Sequence, residues 1–172
     1  GTIVPLYREE NKYYIDESNL DNLVFLDNGT QFVITSEKSG YMHLYLYDLN
    51  GRERQAITKG NFDIIDFYGY DPVRKLFYYS SYEESPLEKY IYSINEKGLK
   101  KKLTPVKGWN EASFSKNFNY YINVVSNTDT PPVTALYNAK GKQVRVLEDN
   151  KAVKEAVKAY NLAKPEFIQI PA

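Results

Sequence analysis

Residues 36–51 read Ser36-Glu37-Lys38-Ser39-Gly40-Tyr41-Met42-His43-Leu44-Tyr45-Leu46-Tyr47-Asp48-Leu49-Asn50-Gly51, and their alternation decides the fold. Met42, Leu44 and Leu46 fall on one side, and Tyr41, His43, Tyr45 and Tyr47 on the other. A period of two belongs to a β-strand, whose successive side chains point to opposite faces. Similar runs rich in Tyr, Val, Ile, Phe and Thr recur at 31–36, 54–58, 62–68, 75–80, 88–94, 101–104, 112–115, 120–125, 133–137 and 144–147. Between them, Asp27-Asn28-Gly29, Asn50-Gly51, Lys97-Gly98 and Lys140-Gly141 supply the residues of positive-φ hairpin turns. The chain reads as antiparallel all-β.

The turns repeat. "YDLNG" ends at Gly51, "SINEKG" at Gly98 and "YNAKG" at Gly141, spacings of 47 and 43 residues. Each is followed by a fourth strand: "RERQAITKG", "LKKKLTP" and "KQVRVLEDN". Four strands in such a period make one propeller blade. We therefore expect about three four-stranded antiparallel blades, a partial β-propeller, at 20–61, 62–107 and 108–149, with a strand or two before them at 3–16. Residues 1–149 form the propeller part, and 150–172 a helix and linker. In that last stretch Asp149-Asn150 offers an N-cap, and Val153, Val157 and Tyr160 line one face of an amphipathic helix. Pro165 stops it, and Glu166–Ile170 reads as a short strand or linker.

Composition narrows the function. The 172 residues carry 22 Lys+Arg against 22 Asp+Glu, one His and no Cys. Zero net charge gives no electrostatic case for nucleic acid or an anionic membrane surface, and no apolar run is long enough to span a bilayer. The absence of Cys removes disulfides and thiolate metal sites, and a single His removes most histidine-built ones. We expect no cofactor and no metal. The first residues lack both a signal-peptide pattern and an initiating Met, so the sequence reads as a processed chain or, by preference, as an excised piece of a longer one.

Residues with possible chemistry each have a plainer reading. No G-x-S-x-G nucleophile elbow occurs, and His43, the sole imidazole, sits mid-strand, where a structural role is expected. Glu9-Glu10 and Glu83-Glu84 are paired carboxylates that could hold an amine, but strand neighbours point apart, so solvated loops are expected. Asp63, Asp66 and Asp71 lack the dense loop that calcium requires and read as turn residues. Lys97–Lys102 reads as a solvated edge, because lysine on an edge deters strand addition. Trp109 and the tyrosines suit packing between blades better than a sugar- or peptide-stacking platform. No catalytic, cofactor-binding or metal residue is assigned.

Specific strings carry a resemblance. The stretch from Ser36 to Tyr47 resembles the "S-E-x-x-G-Y-x-H-L-Y" strand pair in the propeller of dipeptidyl peptidase IV-like enzymes. Ile57–Ile64 is similar to that family's "T-x-G-x-W-E-V" junction, with Phe62 in place of Trp. Phe114–Tyr121 resembles its "F-S-x-D-x-x-Y-Y" element, and Arg145–Asn150 its "V-L-E-D-N" ending. The helix and Lys164–Ile168 resemble the lead into the hydrolase domain. The resemblance implies a non-catalytic propeller fragment of a serine exopeptidase of the prolyl oligopeptidase family, releasing N-terminal dipeptides with Pro or Ala second. It implies a hydrolase domain in cis as partner, peptide substrates for the parent, and an exported bacterial parent at the periplasm or cell surface. The family's Ser, Asp and His would lie beyond Ala172, and its amine-binding Glu pair and Arg before Gly1, so none maps onto this sequence. The propeller would gate substrate access and support the hydrolase. A non-enzymatic propeller that binds protein or glycan is the alternative. Three blades leave two inter-blade faces, where Leu44, Leu46, Phe77, Tyr79 and Ile122 are expected. Burial of apolar area would then drive self-association as a homo-oligomer, or collapse the blades into a sandwich-like packing.

Overall fold

The computed structural model describes residues 3, 5–16, 22–27, 29–160, 163 and 165–171. The chain divides into two compact units, Gly1–Thr104 and Pro105–Ala172. The first holds two four-stranded antiparallel sheets: β1 (Val24–Phe25), β2 (Gln31–Ser36), β3 (His43–Asp48) and β4 (Glu53–Ala56), then β5 (Ile64–Asp71), β6 (Leu76–Ser85), β7 (Glu88–Ile94) and β8 (Lys100–Lys102). The second unit holds β9 (Trp109–Phe114), β10 (Tyr120–Asn127), β11 (Thr130–Asn138) and β12 (Gln143–Glu148), followed by α1 (Lys151–Ala159). Each sheet is a meander of consecutive strands, as the turn spacing predicts. The architecture is all-β with a single helix among the described residues.

One turn chemistry closes the third strand of every sheet. Gly51 N–H donates to Asp48 O, Gly98 N–H to Asn95 O, and Gly141 N–H to Asn138 O. The three glycines have φ of 74°, 79° and 79°, a region that an L side chain enters only with strain. The Oδ1 of Asp48, Asn95 and Asn138 each accepts two backbone N–H groups, two and four residues on. The side chain thereby satisfies donors that a tight turn leaves outside the ladder. The fourth strands of the first two sheets share a second device. The Thr58 hydroxyl accepts from Leu44 N–H and the Thr104 hydroxyl from Ile91 N–H, both at 3.0 Å.

Both faces of the first sheet are buried. Val33, Leu44 and Leu46 pack with Phe77, Tyr79, Tyr92 and Ile94 of the second sheet in one apolar core. On the opposite face, Phe32, Ile34, Tyr45 and Tyr47 are covered by Leu6 and Tyr7. Stacked aromatic pairs cross strands in all three sheets, at 5.4 Å for Phe32–Tyr47 and Tyr79–Tyr92 and 5.2 Å for Tyr121–Tyr137. Each adds about 1 kcal/mol beyond the area it buries.

Several expectations change here. Leu44, Leu46, Phe77 and Tyr79, expected on uncovered faces, are buried because the first two sheets cover one another, while Ile122 is 39% exposed. Residues 3–16 contain no strand among those described: the segment lies as an irregular strap whose Leu6 and Tyr7 side chains pack on the first sheet. Residues 165–171 likewise form no strand. Asn150 precedes α1 with φ 49° and no side-chain cap bond. Its amide donates instead to Pro132 O at 2.6 Å, while Asp149 Oδ1 accepts from Lys151 N–H. No residue of α1 is buried, and Val153 and Val157 lie open to solvent.

Candidate functional site

His43 is enclosed by bonds within its own sheet. Its Nε2 lies 3.0 Å from Gly60 O and its Nδ1 3.0 Å from Thr58 Oγ1, with the Phe62 ring edge-on at 5.2 Å. A carbonyl only accepts, so Nε2 donates to Gly60 O, while Nδ1 shares a hydrogen bond with the Thr58 hydroxyl. That hydroxyl in turn accepts from Leu44 N–H, so every polar atom of the set is used.

The carboxylates singled out in the sequence are mostly structural posts. Glu9 accepts from the Tyr7 and Ser36 hydroxyls, both at 2.6 Å, and ties the strap to β2. Glu10 pairs with exposed Arg8, so the two neighbours do not act together. Asp63 accepts from Met42 N–H, and Asp71 from Val73 N–H, Arg74 N–H and the Arg74 guanidinium. Asp66 accepts from the Ser80 hydroxyl at 2.6 Å and from Lys89 Nζ at 3.1 Å. Burial alone would raise the Asp66 carboxyl, but the Ser80 and Lys89 bonds hold it below the ordinary carboxylate range. Lys89, 3% exposed at its side chain, went unnoticed in the sequence; its signal is a lone cation within the Tyr/Ile-rich β7. Among the described residues, no three His, Cys, Asp or Glu gather as metal ligands. Trp109 is 41% exposed and donates to Glu111, so it forms no buried platform.

Glu83 and Glu84 depart from expectation. They lie on β6, not in a solvated loop, and the Glu83 side chain is only 9% exposed. The β6–β7 register shifts between Ser81 and Ser85, and this irregularity breaks the strict alternation. Both carboxylates therefore meet the same strand: Glu83 accepts from Lys100 Nζ at 2.5 Å, and Glu84 from Lys102 Nζ at 2.8 Å. Lys100 and Lys102 stand opposite Ile94 and Tyr92 across the ladder and so share a face. The Tyr92 hydroxyl also donates to Glu84, and Lys102 sits 3.3 Å from the Tyr90 ring centre. The Lys102 bond holds the Glu84 carboxyl below its ordinary range, while burial pushes the Tyr79 and Tyr92 phenols up.

Beside this ladder runs a cleft of about 380 Å³, between β4 with the residues following it and the β7–β8 turn. Its floor is Ile57, Phe62, Tyr79 and Ile94, and its rim carries Lys59, Lys97, Lys100 and Glu96. The Gln55 amide bridges the cleft to Glu96 O at 2.8 Å. The arrangement holds charge and offers donors.

Comparisons with known proteins agree on one family. The family described as "Dipeptidyl peptidase IV (DPP IV) N-terminal region" matches residues 1–132. The chain is 30% identical over 166 residues to a probable dipeptidyl peptidase 4 of Aspergillus flavus, covering 88% of this chain and 21% of the relative. Against the crystal structure of Porphyromonas gingivalis dipeptidyl peptidase 4, identity is 41% and the TM-score 0.83, over 90% of this chain and 22% of that one. A putative dipeptidyl aminopeptidase IV from Bacteroides ovatus, 24% identical with a TM-score of 0.64, covers 74% of this chain and 21% of its own, and shares the fold. The chain thus spans about a fifth of the relatives it matches.

Proposed function

Because the chain belongs to the dipeptidyl peptidase IV N-terminal region family, we propose that it is the non-catalytic propeller part of a serine exopeptidase that releases N-terminal dipeptides with Pro or Ala second. The observation that carries this reading is the 41% identity to a dipeptidyl peptidase 4 over 90% of the chain, at a TM-score of 0.83. Those sheets are blades of a propeller. Its role in the parent is architectural: stacked on the hydrolase domain, it admits small or extended peptides to the nucleophile and excludes folded ones. The open apolar face of α1, with Val153 and Val157, suits contact with that domain. Export of the parent to the periplasm or cell surface belongs to the same proposal, and cell fractionation tests it.

The decisive assay gives the parent protein an Ala-Pro reporter with a free N-terminus, beside the same reporter acetylated. Cleavage of the free form alone, abolished by an active-site serine inhibitor, is the expected result. Equal cleavage of both, or none, would overturn the exopeptidase reading. The present chain alone is expected to cleave neither.

A further inference from the structure

We propose that the cleft between β4 and the β7–β8 turn binds a small organic anion, whose carboxylate or phosphate is held by Lys59, Lys97 and Lys100 while its apolar body lies on Phe62 and Ile94. The volume, about 380 Å³, lies within the range of small-ligand sites.

The charge points to an anion. Three ammonium groups and one carboxylate, Glu96, line the cleft. Lys100 already answers Glu83, but neither Lys59 nor Lys97 has a side-chain partner among the described residues. Both lie outside the strands, one after β4 and one in the turn before β8, so they do not guard a strand edge as the β8 lysines do. The Phe62 ring, half-buried beneath the Lys100 ammonium, supplies a flat apolar surface.

The test uses ligand-observed NMR on the full chain with phenyl phosphate, benzoate and benzyl alcohol. Saturable binding of either anion is expected, weakening as salt rises, with benzyl alcohol at least about tenfold weaker. A phosphate preference over benzoate, or the reverse, identifies which oxyanion the site takes. Lys59→Gln combined with Lys97→Gln changes two exposed side chains and should weaken the anion by about tenfold or more. Equal binding of all three probes, no binding of either anion at millimolar concentration, or indifference to the double substitution would each overturn the proposal.

Discussion

Thr58 and Thr104 show how much a single hydroxyl decides. Each follows a fourth strand, is buried, and accepts a backbone N–H from the third strand of its own sheet. Thr104→Val keeps the shape and removes the acceptor, leaving Ile91 N–H buried and unpaired. The expected loss is about 1–3 kcal/mol, read as a lowered thermal midpoint, with Thr104→Ser recovering most of it. A midpoint unmoved by valine would show that the hydroxyl contributes nothing. His43 depends on the same device, since Thr58 serves both the imidazole and Leu44 N–H. His43→Gln can replace one of its two bonds, so a loss on the order of 1 kcal/mol is expected, with no change in bound metal on elemental analysis. At this scale the sequence was readable where a residue type repeats: Thr in "QAIT" and "KKLT" is visible by eye. Glu83 and Glu84 were not, because alternation assumes an unbroken ladder, and no Gly or Pro between Ser81 and Ser85 announces the register shift.

Turns and straps set the next scale. Gly51 and Gly98 occupy equivalent turns with nearly equal φ, yet their surroundings differ. A Cβ at Gly98 meets open space, whereas one at Gly51 would fall 2.4 Å from Leu6 O in the strap. Gly98→Ala should therefore cost only the backbone strain, about 1 kcal/mol. Gly51→Ala must also displace the strap, so its thermal midpoint should fall further, and amides near Leu6 should exchange faster. Equal midpoints and unchanged exchange would mean that the strap does not rest on the turn. The hairpins themselves were legible, with residues 31–36 and 88–94 read from the sequence with the bounds the structure gives. The strap was not: Leu6 and Tyr7 have strand-like side chains, but what covers a face is set by tertiary packing, to which a period of two is blind. The same blindness put Leu44 and Phe77 in water, since alternation names the face and not its neighbour.

For the molecule as a whole, pH bounds stability from both sides. Asp66 and Glu84 are held below the ordinary carboxylate range, so their contribution is present above it and disappears as pH falls below about 4. Both are partly exposed, so solvent screens the gain and each share is small. Tyr79 and Tyr92 are raised, so their contribution is present below about pH 10 and is lost as pH rises beyond it, where tyrosines of the unfolded chain ionise first. Thermal midpoints measured across pH should form a dome, and Glu84→Gln should flatten its acid edge and, because the Tyr92 phenol donates to Glu84, soften the alkaline edge as well. A midpoint still rising on the alkaline side would contradict the burial of these phenols. The placement of Trp109 also makes the chain its own optical probe. The single indole lies on β9, in the second unit, and is partly open to solvent, whereas the first unit holds many tyrosines and no tryptophan. Selective excitation of the indole therefore watches the third sheet alone, with a red-shifted emission that a soluble quencher can reach. Near-ultraviolet dichroism, by contrast, draws on stacked tyrosines of the second and third sheets together, Tyr79–Tyr92 and Tyr121–Tyr137.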